Sequence, residues 1–230
     1  MVHPADNQAL KIDVDAAQQV SALLRKPTGA TSCFVFAHGA GAGMEHGFMA
    51  SFADGLAARG IASLRFQFPY MERGSKRPDS PALAQKTVRA AVAEAARQCP
   101  ACRLIAGGKS FGGRMTSQAE AASPLDGVAG LAFIGFPLHP AGKPGIERSE
   151  HLRRVALPML FLQGTRDELA TLDLLQPVVD GLAPRATLIL IDDADHSFHV
   201  RARSGRNDGQ VMESMLDAFA QWAGQLAERT

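Results

Sequence analysis

Leu104-Ile105-Ala106-Gly107-Gly108-Lys109-Ser110-Phe111-Gly112-Gly113-Arg114 decides how the 230-residue chain is read. A short apolar run ends in glycines, a serine follows, and a helix-compatible segment with Met115, Thr116 and Gln118 begins at once. Gly108-Lys109-Ser110-Phe111-Gly112 fits G-x-S-x-G, the elbow in which a serine sits on a tight strand-to-helix turn. The reversal is so sharp that a Cβ two residues before or after the serine would collide with the turn, and the serine's own backbone is strained. Gly108-Lys109-Ser110 is not the tail of a phosphate-binding P-loop, because that motif requires glycine where Arg103 stands.

Composition narrows the classes. The chain is 46% hydrophobic and 20% charged with a net charge of +1, ordinary for a globular protein and without the basic excess of a nucleic-acid or membrane-surface binder. Its length suits one α/β domain over residues 1–230. Met1 to Asp15 is polar where a secretory signal would be apolar, so a cytoplasmic location is expected. Cys33, Cys99 and Cys102 are too few for a disulfide framework, and Cys99-Pro100-Ala101-Cys102 falls between a helix and a strand, the wrong order for a thioredoxin-like motif. No set of residues has metal-ligand spacing, so neither metal nor cofactor is expected, and the expected partner is a small molecule.

Outward from the elbow, strands and helices alternate. Strands are expected at 9–14, 19–25, 33–37, 61–66, 103–106, 128–134, 158–162 and 187–191, and helices at 47–59, 82–97, after Ser110, at 147–155, 171–182 and 210–228. Residues 67–81 read as a loop whose Arg73, Lys76 and Arg77 form a solvated surface, with Ser80 capping the next helix. Met212, Met215, Leu216, Phe219 and Trp222 are expected in the core. The pattern predicts an α/β fold, a mostly parallel, doubly wound sheet of about seven or eight strands with an antiparallel N-terminal start. The connection between the strands near 134 and 158 is too short for a large cap. Ligands of such sheets bind at the carboxyl ends of the strands, where His38–Met44, Lys109–Gly112, Gly135–Pro140, Gln163–Glu168 and Asp192–His199 fall. The glycine-rich His38–Met44 loop lacks the third glycine of a dinucleotide fingerprint, and its N–H groups suit an oxyanion hole.

His38-Gly39-Ala40-Gly41-Ala42-Gly43, Arg65-Phe66-Gln67-Phe68-Pro69-Tyr70, the elbow through Arg114, Gly135-Phe136-Pro137-Leu138-His139-Pro140, Gly164-Thr165-Arg166-Asp167 and Asp195-His196-Ser197-Phe198 together resemble the α/β-hydrolase superfamily. The resemblance is to dienelactone-hydrolase-like serine hydrolases, within them to the group typified by testis-expressed protein 30, and it covers about residue 20 to the C-terminus. Dienelactone hydrolase proper has cysteine where Ser110 stands, so its substrate is not implied. The resemblance implies a Ser110, Asp167, His196 triad in that chain order, with an oxyanion hole from the N–H groups of Phe111 and of Ala40 in the Gly39–Gly41 loop. His199 competes with His196 as base. Asp192, Asp193 and Asp195 compete with Asp167, although Asp195 adjoins His196 and its side chain diverges from it. His38 is expected to brace the glycine loop through hydrogen bonds, whereas His46 and His139 carry no signal. Lys109, Arg114, Lys143 and Arg201 would favour an anionic substrate if they rim the opening. The implied activity is cleavage of a small ester or thioester through an acyl-enzyme intermediate. A non-catalytic hydrolase-fold binding module and an acyltransferase with the same triad are the alternatives.

Overall fold

The computed structural model describes residues 6–226. Eight strands form one sheet, β1 (Gln8–Asp15), β2 (Gln18–Arg25), β3 (Ser32–Ala37), β4 (Ile61–Phe66), β5 (Arg103–Lys109), β6 (Val128–Ile134), β7 (Met159–Gly164) and β8 (Ala186–Ile191), in the order β1-β2-β4-β3-β5-β6-β7-β8. The β1–β2 and β2–β4 pairs are antiparallel and every later pair is parallel. β3 is buried along its whole length, as a central parallel strand covered on both faces must be. Its alternate side chains feed two cores. Phe34 and Phe36 join one with Ile105, Ala132 and Leu160, and Cys33, Val35 and Ala37 join the other with Leu64, Ala106 and Phe133.

The helices are α1 (Gly47–Ala58), α2 (Pro69–Glu72), α3 (Pro81–Gln98), α4 (Phe111–Ala122), α5 (Leu172–Asp180) and α6 (Asp208–Gln225). Met49, Phe52 and Leu56 of α1 and Met215, Leu216 and Phe219 of α6 cover the Phe34 face; Val88 of α3, Met115 of α4 and Leu175 of α5 cover the other. Ser80 caps α3 by accepting from Leu83 N at 3.4 Å. The loop expected over 67–81 contains α2, whose first turn takes Pro69, where a missing N–H costs nothing. The helix expected from Gln210 begins two residues earlier, because Asn207 Oδ1 accepts from Gln210 N at 2.9 Å while Gln210 Oε1 accepts from Asn207 N at 3.0 Å. Its expected end at 228 lies outside the described residues; α6 ends at Gln225. Residues 147–155, expected as a short helix, form 3-10 turns at Glu147–Arg154, and the β6–β7 connection builds no cap over the sheet.

The chain leaves β3 through α1 to β4 on one side, and returns through α3 to β5 on the other. Loops after β3 and β5 therefore diverge and leave a crevice above their carboxyl ends. Among the described residues, no helix is long and apolar enough to cross a membrane.

Candidate active site

Ser110 stands in that crevice between β5 and α4, at φ 49° and ψ −115°. This is a left-handed conformation that a residue with a side chain adopts only when its surroundings force it. The surroundings here are close backbone contacts. A Cβ on Gly108 or on Gly112 would run into the carbonyl of Ala37 at the end of β3. The two motif glycines thus let β5 and α4 approach the neighbouring strand, and the nearest obstacle is the end of that strand, Ala37 and His38, where the sequence suggests the turn itself.

Three side chains distant in sequence meet at the elbow. His196 Nε2 lies 2.9 Å from Ser110 Oγ, and His196 Nδ1 lies 2.7 Å from Asp167 Oδ2. Asp167 is 2% exposed and its other oxygen accepts from Leu169 N at 2.8 Å. The competitors are occupied elsewhere. Asp195 Oδ1 accepts from the N–H groups of Ser197 and His199 at 2.8 and 3.0 Å, Asp193 pairs with Arg201, and Asp192 is exposed. His199 Nδ1 lies 2.6 Å from Asp208 Oδ2, and that bond raises its pKa.

The glycine loop flanks the serine, since a Cβ on Gly39 would sit 3.8 Å from Ser110 Cβ. Gly41 N donates to Tyr70 Oη at 3.0 Å and Ala42 N to Gly39 O at 3.3 Å. The N–H groups of Ala40 and of Phe111 have no partner among the described residues, the latter because the first turn of a helix has no preceding acceptors. His38 braces the loop: Nδ1–H donates to Gly39 O at 2.7 Å and Nε2 accepts from Phe68 N at 3.0 Å. Complete burial lowers its pKa to about 4, so the ring is neutral. His46, without a sequence signal, accepts from Phe48 N at 3.3 Å and caps α1.

A cavity of about 630 Å³ opens beside Ser110. Its apolar wall is built by Phe48, Met49, Leu169, Phe198, Met212 and Met215, with His46, His199 and Asp208 among the polar groups. Met212, expected in the core, is half-buried and faces this space. The basic rim does not assemble. Of Lys109, Arg114, Lys143 and Arg201, Lys109 alone lines the cavity; Arg114 packs over the Phe111 ring, Arg201 pairs with Asp193 and Lys143 lies on an exposed loop.

Two residues of the site had no role in the sequence reading. Buried Gln163 Nε2 donates to Asp167 Oδ2 at 2.5 Å while its Oε1 accepts from Phe136 N at 2.9 Å. Tyr70, also buried, holds Gly41 through its hydroxyl. A polar residue ending the apolar run of β7 was the one available signal for Gln163; Tyr70 closes the Arg65–Tyr70 stretch of the resemblance, but nothing in that stretch pairs its hydroxyl with Gly41. Among the described residues, no three His, Cys, Asp or Glu side chains group so as to hold a metal ion.

Solved structures share this architecture. A dienelactone hydrolase from Anabaena variabilis superposes with a TM-score of 0.78 at 20% identity, covering 96% of this chain and 97% of the other. An α/β serine hydrolase without lid from Xanthomonas campestris gives 0.72 at 21%, covering 96% and 97%. Est1E from Butyrivibrio proteoclasticus, solved with ferulic acid bound, gives 0.69 at 17%, covering 92% and 100%. These likenesses concern the fold. The model of the alpha/beta hydrolase domain matches residues 30–224, and the chain belongs to that family.

Proposed function

We propose that the protein is a serine hydrolase that cleaves a small ester or thioester through an acyl-enzyme intermediate. The observation that carries the reading is the hydrogen-bonded series Ser110 Oγ, His196, Asp167 at 2.9 and 2.7 Å, set on a serine whose backbone is held at positive φ. Asp167 accepts the Nδ1–H of His196, which leaves the Nε2 lone pair for the serine hydroxyl. As Ser110 Oγ bonds to the acyl carbon, Nε2 takes its proton, and the carbonyl electrons pass to an oxyanion held by the N–H groups of Phe111 and Ala40. Collapse breaks the bond to the leaving group, which departs with the proton from His196. Water then attacks the acyl-enzyme, giving its proton to the same nitrogen, and the acid leaves as Ser110 regains its hydrogen.

The wall of Phe48, Met49, Leu169, Phe198, Met212 and Met215 favours a substrate with an uncharged apolar group beside the scissile bond. Without a cap, that group enters from an open face. The free thiols of Cys33, Cys99 and Cys102 suit a reducing compartment, in keeping with action in the cytoplasm. A fluorophosphonate probe tests the core reading. Wild-type protein and His199→Ala label at comparable rates, whereas Ser110→Ala does not label and His196→Ala does so at least ~10²-fold more slowly. Folded wild-type protein that stays unlabelled would refute the reading in favour of a binding module.

A further inference from the structure

Lys109 takes no part in the chemistry above, yet its side chain lies at the centre of the site. Its Nζ donates to the carbonyl oxygen of His196 at 2.5 Å and sits 5.3 Å from the centre of the Phe198 ring. The space is shared closely with Gly135, which has φ +68°: a Cβ there would lie 3.0 Å from Lys109 Nζ and 3.5 Å from His196 Cε1 and Nδ1. The ends of β5 and β6 and the loop after β8 therefore interlock around this ammonium. Burial lowers its pKa to about 8, with the charges of Asp167 and Asp195 opposing the fall. A half-buried cation loses part of its hydration, and groups perturbed in this way concentrate at functional sites.

The loop that Lys109 grips has its own strain. Phe198 occupies the left-handed region at φ +66°, rare for a residue with a side chain. The turn closes on itself through Phe198 N donating to Asp195 O at 3.0 Å and through the two N–H groups on Asp195 Oδ1. Those bonds hold its internal shape but do not fix it against the serine. The ring of His196 reaches the elbow at Ser110, and Lys109 adds a second tether, from the residue next to the nucleophile to the backbone of the base.

We propose that Lys109 is a positioning residue, fixing the imidazole of His196 against Ser110 by holding the His196 carbonyl to the elbow. The proposal rests on the hydrolase reading. It gives the lysine in Gly-Lys-Ser a role distinct from binding an anionic substrate, since the ammonium already spends a donor on His196 and is covered by Phe198. A displacement of about 1 Å between reacting groups can cost ~10²-fold in rate, so losing the tether is expected to show in turnover while substrate affinity stays.

Lys109→Met keeps the length and loses the donor; Lys109→Arg keeps a cationic donor. With a neutral p-nitrophenyl ester, Lys109→Met is expected to lose 10- to 100-fold in kcat and in fluorophosphonate labelling rate, at a KM within about twofold of wild type, and Lys109→Arg to recover a large part. An observable independent of activity is the low-field proton NMR signal of His196 Nδ1–H on Asp167, expected to broaden in Lys109→Met and sharpen again in Lys109→Arg. Wild-type labelling together with an unchanged proton signal in Lys109→Met would overturn the proposal. So would a change confined to KM for carboxylate-bearing esters, which would make Lys109 a substrate-binding group. If the wild-type protein neither labels nor hydrolyses, the hydrolase reading fails and the proton signal alone decides whether Lys109 positions the imidazole.

Discussion

Replacing Gln163 with leucine tests whether Asp167 is held in place from behind. The amide is the buried link between two strand ends: Nε2 donates to the Asp167 oxygen that also receives His196 Nδ1–H, and Oε1 accepts from Phe136 N in the loop after β6. Leucine occupies a similar volume and provides neither bond. Losing a donor to a carboxylate costs about 1.5–3 kcal/mol, and stranding the buried Phe136 N–H costs about 1–3 kcal/mol, against a small gain from the apolar side chain. A loss of about 3–4 kcal/mol is expected. In a chain of this size each kcal/mol shifts Tm by about 2–4 °C, so the melting temperature should fall by roughly 10 °C. Asp167 would retain the Leu169 N–H on its other oxygen, but its carboxylate would be free to turn. The fluorophosphonate labelling rate, measured well below the new Tm, should drop about tenfold. Unchanged melting and labelling would refute the reasoning, because two buried polar groups would then have found other partners at no cost. A drop in Tm without a change in labelling would mean that Gln163 supports the loop and not the carboxylate's orientation.

Gly112→Ala puts a methyl group against the Ala37 carbonyl, and with no flexible side chain to yield, loss of soluble folded protein or a Tm lower by several degrees is expected in expression and melting assays. His38 is neutral in the fold with a pKa near 4 and regains an ordinary value near 6.5 when unfolded. The unfolded chain therefore binds the extra proton between those values, and about 3 kcal/mol of stability present at pH 7 is lost as the pH falls from 6.5 to 4. Melting curves across that range should show the loss, and a His38→Gln variant, whatever its stability at pH 7, should show a flatter dependence; equal slopes would exclude His38 as the source. Met212→Trp narrows the cavity wall, so kcat/KM for octanoyl esters should fall about tenfold relative to acetyl esters. Parallel changes for both would place the apolar group elsewhere.

What could be read from the chain and what could not divide according to the range of the forces involved. β3 is legible because a strand buried on both faces needs an unbroken apolar run, and Cys33 to Ala37 supplies one. The elbow is legible because the close approach of β5 and α4 to Ala37 forbids side chains at fixed offsets from Ser110, so the constraint is written as glycines within five residues. Helix starts were missed where the cap is a less familiar pair, as at Asn207 and Gln210, or where a proline turn sits inside a loop, as at Pro69. Gln163, Tyr70 and Lys109 belong to a third kind. Each is polar, each bonds an atom 27, 29 or 87 residues away, and in all three cases that atom is a backbone N–H or carbonyl, which every residue type possesses. A bond to backbone places no requirement on the partner's identity, so it leaves no paired signal in one sequence. The basic rim failed for the converse reason. Arg114 and Arg201 follow strand ends in the sequence as the site residues do, but Phe111 and Asp193, their neighbours in space, draw them away from the cavity. Proximity along the chain therefore identified the groups whose roles are dictated by local geometry, whereas long-range hydrogen bonding selected the residues that hold those groups in register.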